Sequence, residues 1–226
     1  MRKGTLVRWY AFRKIFLSEI KKNARIIDLG GYDGAICSNL IKLKPDIKAT
    51  IVDLDKLGLD KAKSRGLKTI KSSALNVPLD KEEFDCVLCL SLIEHIEKPE
   101  KLIKEAHCLL KSKGKIFLIT PKENGVLFPL IEKEKSTKIN RDWGHIYRLG
   151  FSFQELHEIL DKGGFKIEKR VEYYNFFTKT FYLISYFKKS SLLQKITDLL
   201  YSLVINLEPY IKYKTDSQLI IATKKI

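Results

Sequence analysis

The chain has 226 residues, 45% of them hydrophobic, and a formal charge of +15. That length and apolar content fit one domain with a full core, and no uncharged run is long enough to span a bilayer. The charge draws the chain toward nucleic acid, anionic membrane surfaces or anionic substrates without choosing among them, and no block of five or more basic residues concentrates it.

The stretch MRKGTLVRWYAFRK breaks every apolar run with a charge. It does not read as a signal peptide, and a reducing cytoplasmic setting is expected. Residues 5–22 form an expected helix, with Leu6, Trp9, Tyr10, Ile15, Phe16 and Ile20 on its apolar face. Arg25–Leu29 is a short apolar strand. It leads into Gly30-Gly31-Tyr32-Asp33-Gly34, a glycine-rich turn, and then into a helix over Ala35–Leu43. Such a turn presents backbone N–H groups and a helix N-terminus to a ligand. Ala49–Leu54 is a second strand ending in Asp53, followed by a helix over Lys56–Arg65 that Gly66 is placed to end. Lys68–Ser72 is a third strand. Asp85–Ser91 is almost continuously apolar, as expected for a strand buried on both faces. Pro99–Lys111 has Leu102, Ile103, Ala106, Leu109 and Leu110 in helical register, and Lys115–Thr120 is the next strand. The stretch 121–150 reads as a polar, irregular loop. Ser152 and Glu155 are spaced as a capping box for a helix running to about Lys162, and Phe165–Tyr174 and Gln218–Lys224 are the last strands. Strands alternating with helices in this way imply a parallel sheet covered by helices on both faces.

Cys86 and Cys89 have C-x-x-C spacing, but on a strand residues three apart point to opposite faces, so buried thiols are expected rather than a metal site. The segment 173–213 stands apart. It holds eleven of the chain's 24 aromatics, and Leu192, Leu193, Ile196, Leu199, Leu200, Leu203, Val204 and Leu207 share one helical face with Lys195, Asp198, Ser202 and Asn206 mostly opposite.

In an open parallel sheet ligands bind outside the carboxyl ends of the strands. Here those ends carry Asp28 with the glycine turn, Asp53, Ser73-Ala74 and Leu90-Ser91. Asp53 follows the turn at about the distance where an acidic side chain can hold two ribose hydroxyls.

With these residues in view the chain resembles the class I S-adenosylmethionine-dependent methyltransferases of the small-molecule type. IIDLGGYDG is similar to that family's first-strand motif, and IVDLD to its acidic second-strand end. NVPLDKEEFDCVLCLSLIEHI, GKIFLITP and GHIYRLGFSFQELHEILDKGGFKI resemble its later blocks, in order. The resemblance covers about 24–172 and resumes at 217–224. It implies a Rossmann-like, doubly wound α/β fold with a seven-stranded sheet, mostly parallel with an antiparallel last strand. It also implies one domain: an N-terminal helix (1–23), a cofactor-binding core (24–172), an aromatic insertion (173–213) and a final strand (214–226). Tyr32 occupies the place of the second glycine that a dinucleotide fingerprint needs, which argues against a nicotinamide enzyme.

The resemblance further implies S-adenosylmethionine as cofactor and S-adenosylhomocysteine as product. Gly30, Gly31 and Gly34 would pass close to the methionine part, Asp28 would orient the turn and the amino group, Asp53 would hold the ribose and Leu54 would pack on the adenine. Tyr32 would cover the cofactor or rearrange the loop. Ser73 stands where an acidic residue often meets the adenine amino group, Ser73 or the backbone at Ala74-Leu75 would substitute for it, and Leu90 and Ser91 close the fourth strand end. Methyl transfer from a sulfonium is an in-line displacement that rests largely on positioning, so a base is optional. His145, beside Trp143 and Tyr147, is the candidate. Quinone-type O-methyltransferases place a Glu-x-x-Glu-His metal site where this chain has Ser91, Glu94 and His95. One carboxylate is missing and no metal is assigned.

A nucleic-acid methyltransferase would carry an Asn/Asp-Pro-Pro-Tyr-type tetrapeptide after the fourth strand. Leu90-Ser91-Leu92-Ile93 stands there instead, so the expected acceptor is a small or lipid-linked molecule. The family usually joins its last two strands briefly, and three readings of 173–213 stay open. It is a lid over an apolar acceptor pocket, a contact with an anionic membrane surface that makes the protein peripheral, or a homodimer surface. The positive charge favours a lid combined with membrane contact. From a different class, a non-catalytic S-adenosylmethionine-binding sensor or membrane-associated scaffold is the alternative.

Overall fold

A computed structural model describes residues 2–123, 125, 131–142, 147–186 and 191–225 of the chain. The first half alternates β1 (Arg25–Leu29), α2 (Ala35–Leu43), β2 (Lys48–Asp53), α3 (Lys56–Ser64) and β3 (Lys68–Lys71), preceded by α1 (Lys3–Glu19). Then come β4 (Phe84–Leu90), a single 3-10 turn (Ile93–His95), α4 (Pro99–Leu109) and β5 (Leu110–Pro121). The chain continues through α5 (Lys133–Asp142), α6 (Phe153–Lys162), β6 (Phe165–Tyr173), α7 (Phe176–Tyr186), α8 (Ser191–Leu207) and β7 (Ser217–Lys224).

Among the described residues the strands form one seven-stranded sheet in the order β3-β2-β1-β4-β5-β7-β6. The first five pair in parallel, and β7 runs antiparallel between β5 and β6. This is the Rossmann-like, doubly wound arrangement expected. The chain leaves β1 outward through β2 and β3 and then crosses back to β4, so the winding reverses between β1 and β4. A crevice opens there beyond the strand ends.

The sheet is covered on both faces. On one face α1, α2, α3 and α8 deliver Phe12, Phe16, Leu40, Ala62, Tyr201 and Ile205 to a core shared with Ile26, Cys86 and Leu88. On the other, α4 and α6 deliver Leu102, Ile103, Leu156 and Leu160 to a core shared with Ile27, Val87 and Cys89. Cys86 and Cys89 therefore face opposite ways across the pleat, and burial raises both thiols above their ordinary pKa.

Two local expectations need correction. The stretch 121–150 is not wholly irregular, because Lys133–Asp142 is helical. Its composition is so polar that no apolar periodicity announces it. The capping box at Ser152 is half formed. Ser152 Oγ accepts from the Glu155 amide at 3.1 Å, but the Glu155 carboxylate pairs with Arg148 rather than returning to the cap. The partner of the α8 apolar face, which the sequence left open, is not the core among the described residues. Thr197, Tyr201, Ile205 and Glu208 turn inward, whereas the row from Leu192 to Leu207 faces out.

Candidate active site

The glycine turn is built by its own backbone. Gly30 and Gly31 donate their amides to the Val52 carbonyl at 2.8 and 3.2 Å, and Gly34 donates to Gly31 at 2.9 Å. Gly30 and Gly34 have φ of +72° and +62°, the left-handed region that favours glycine. A side chain at Gly31 would put its Cβ 2.7 Å from the Asp28 carboxyl carbon. The turn is thus held flat against the strand ends with no side chain in the way, a cradle that fits a ligand approaching the backbone.

Asp28 lies beneath it, buried at the end of β1. One oxygen faces Cys37 Sγ at 3.7 Å, and the other has no hydrogen-bond partner among the described residues. Burial pushes the Asp28 carboxyl up to about 7, against the pull of Cys37 and the Arg8 charge. An unpartnered buried acceptor beside a bare backbone turn suits a ligand that brings a cationic donor.

Asp53 sits half-buried at the end of β2, and its oxygens accept from the Tyr32 amide at 2.8 Å and the Asp55 amide at 2.9 Å. It fastens the glycine turn to β2, and spare lone pairs remain on each oxygen. The Tyr32 backbone takes a positive φ of 48°, and its ring packs against Gly58 at the start of α3, under the Arg2 guanidinium at 4.1 Å. The ring covers α3 rather than the cavity described below. Leu54 is exposed. Ser73 Oγ accepts from the Leu75 amide at 3.2 Å, and Ala74 and Leu75 are partly buried against the core.

Beyond β4 and β5 a cavity of about 350 Å³ opens, with a small adjoining pocket of about 30 Å³ at Asp28, Gly31 and Asp33. Arg2, Thr5, Arg8, Gly30 and Leu90 belong to both, so the first turns of α1 form the partition. Of the residues singled out from the sequence, Asp28, Gly30, Gly31, Leu90 and Ser91 come together on these walls. Tyr32, Gly34, Asp53, Leu54, Ser73, Ala74 and Leu75 line neither cavity, although they lie along the same edge of the sheet. His145 falls outside the described residues.

Sequence reasoning gave Arg8 no role and weighed Glu94 as part of an incomplete metal motif. Arg8 donates to Ser91 Oγ at 2.9 Å, and Ser91 takes a positive φ of 58° at the exit of β4. Glu94, in the 3-10 turn, is fully buried and lines the larger cavity. Neither of its oxygens has a hydrogen-bond partner among the described residues, and the Thr120 hydroxyl faces it without forming a bond of good geometry. Burial pushes the Glu94 carboxyl up to about 7. The far wall comes from Tyr173, Tyr174, Lys179 and Tyr182, with Lys179 paired to Asp216 at 2.6 Å. Lone Arg and Glu residues in a Lys-rich sequence carry no local signal. Only the Glu-His pair after β4 could have flagged the second.

Comparison with known proteins places this arrangement. A family model described as a methyltransferase domain matches residues 4–170. The chain belongs to the class I S-adenosylmethionine-dependent methyltransferases. Among relatives of this methyltransferase, an uncharacterised protein of Methanocaldococcus jannaschii is 33% identical over 116 residues, covering 51% of this chain and 54% of its own. A ubiquinone biosynthesis O-methyltransferase of Coxiella burnetii is 25% identical over 65% of each chain. The methyltransferase thus spans about half to two-thirds of these curated relatives. A solved methyltransferase from Archaeoglobus fulgidus shares the fold, with a TM-score of 0.65 at 18% identity, covering 99% of this chain and 95% of that one.

Proposed function

We propose that this methyltransferase moves a methyl group to an oxygen or nitrogen of a small or lipid-linked acceptor held in the 350 Å³ cavity. One observation carries the reading: Glu94 is a buried carboxyl on that cavity, raised to about 7 by burial, with neither oxygen partnered among the described residues. A hydroxyl or neutral amine of the acceptor supplies the donor that this carboxylate lacks, and the proton it loses on methylation passes to the Glu94 carboxylate.

When bound, S-adenosylmethionine supplies a methyl group on a sulfonium, an already activated leaving group, and departs as S-adenosylhomocysteine. Asp28 takes its amino group, the turn at Gly30, Gly31 and Gly34 supports its methionine part, and Asp53 adds the ribose hydroxyls to the amides it already holds. Leu54 with Ser73, Ala74 and Leu75 forms the adenine side. Arg2, Thr5 and Arg8 keep water from the partition, and Arg8 holds Ser91 in its strained position at the neck. The Coxiella relative's name, with its ubiquinone O-methylation, favours an aromatic hydroxyl on a prenylated acceptor, and Tyr173, Tyr174 and Tyr182 offer rings for it to stack on.

The test is product formation. The purified chain is given S-adenosylmethionine with either the lipid extract or the water-soluble metabolites of cells, and S-adenosylhomocysteine is measured. Turnover with one fraction identifies the acceptor class. Tight cofactor binding without turnover in either fraction favours the sensor instead.

A further inference from the structure

Helix α8 has three surfaces rather than two. At about 100° per residue its buried positions, Thr197, Tyr201, Ile205 and Glu208, occupy one arc, and Lys195, Asp198, Ser202 and Asn206 another. Between them lies an apolar arc of about 120° carrying Leu192, Leu193, Ile196, Leu199, Leu203 and Leu207, each between 48 and 67% exposed. A 17-residue helix is about 25 Å long, so this is a continuous apolar strip along its whole outer side. Strips of that size on a monomer's surface mark a place where something docks. No helix among the described residues is long and apolar enough to cross a membrane.

The charge around the strip identifies the occupant. Among the described residues of 173–214, Lys195, Lys212 and Lys214 are exposed, Lys179 is buried against Asp216, and the acids are Asp198 and Glu208. Neither acid is turned outward alone: Glu208 is buried on Asn175 and the Tyr174 amide, and Asp198 pairs with Lys3. Just past α8, exposed Tyr210 and Tyr213 alternate with Lys212 and Lys214, the pairing of amphipathic ring and cation that settles at a lipid headgroup layer. A second copy of a chain with a net charge of +15 would bring like charges together at this face, whereas an anionic bilayer neutralises them.

We propose that the exposed leucine strip of α8 lies in the surface of an anionic lipid bilayer, with Lys195, Lys212 and Lys214 at the headgroups. Helix α7, which packs on α8, also contributes Lys179 and Tyr182 to the acceptor cavity. The bilayer therefore lies one helix away from the site, whatever the acceptor is.

The experiment is co-sedimentation of the full chain with phosphatidylcholine vesicles, with and without phosphatidylglycerol, at low and high salt. The wild-type chain is expected to pellet with the anionic vesicles and to be released by salt. The double variant Leu199→Glu/Leu203→Glu is expected to lose about tenfold or more in partitioning. Calorimetry with S-adenosylmethionine checks that the variant is folded, since neither residue touches the cavity or the core. Equal pelleting of the two forms overturns the proposal, as does wild-type chain that ignores anionic vesicles. A wild-type dimer in gel filtration that the variant turns into a monomer, with vesicle binding unchanged, overturns it in favour of a homodimer surface. Turnover in free solution is measured separately, so failure of membrane binding leaves the methyl-transfer reading standing.

Discussion

At the β1–β2 end of the crevice the ligand-facing surface is one short run, from Asp28 to Gly34, fastened by Val52 and Asp53. At the β4–β5 end the walls are drawn from α1, the 3-10 turn, the exit of β5, α7 and the start of β7, residues that stand as far apart as Arg2 and Ser217. The first surface is made mostly of backbone, and beneath it one Asp28 oxygen has no hydrogen-bond partner among the described residues. The second is made of side chains, and two of its charged groups, Arg8 and Glu94, keep atoms with no hydrogen-bond partner among the described residues. Each end thus keeps a buried carboxyl for a ligand to complete, and the difference lies in the scaffold: local backbone at one end, side chains from distant segments at the other.

Substitutions should separate the two ends. The largest effect is expected from Gly31→Val, because any side chain there collides with Asp28 and with Ile51, 2.9 Å away. Cofactor affinity should fall by about 100-fold or more, with about 1–3 kcal/mol of stability lost to overpacking, measured by calorimetry and denaturant unfolding. Asp53→Ala comes next. It frees the Tyr32 and Asp55 amides along with the ribose site, and affinity should drop by about 10- to 100-fold. Calorimetry showing unchanged affinity would remove the ribose assignment.

Glu94→Gln should act in the opposite sense on stability and activity. In the folded chain the Glu94 carboxyl sits near 7, above its ordinary value of 4.5, and Asp28 is raised in the same direction from 3.8. A raised acid contributes stability that is complete below its unfolded pKa and is lost as pH rises through the folded one. Wild-type unfolding free energy should therefore decline between about pH 4 and 7 and level off above. Glu94→Gln should reduce that decline to the part that Asp28 carries and be the more stable protein at about pH 8. Its kcat/KM should fall by about 10- to 100-fold, and the acidic limb of the pH–rate profile should disappear. A full decline with pH in the variant would show that Glu94 does not carry the effect. The smallest change is expected at Ser73→Ala, where only the bond to the Leu75 amide goes. Cofactor affinity should move by less than about threefold.

The strands of the sheet and the turn after β1 were readable because each depends on contacts close in sequence: apolar runs for β1, β2 and β4, and glycines at Gly30 and Gly34 for the positive φ that the turn adopts. The helix Lys133–Asp142 was not readable, since its residues are almost all polar and its apolar periodicity is absent. Tyr32 was legible as an unusual residue in the turn but not as a ring lying on Gly58, because that contact joins two elements. For α8 the sequence showed an apolar face and left its partner open. The buried arc proved to be the neighbouring one, through Tyr201 and Ile205.

The sequence by itself determined the order of elements, the glycine cradle, the acidic strand ends and the family, because these rest on local backbone geometry and on period-2 and period-3.6 patterning. Only the tertiary structure decided that Arg8 reaches Ser91, that Glu94 is buried without a partner, and that the leucines of α8 face outward. Whether a charged side chain is solvated, paired or stranded depends on which distant segments pack over it. That is a property of the assembled core and of no stretch of the chain taken alone.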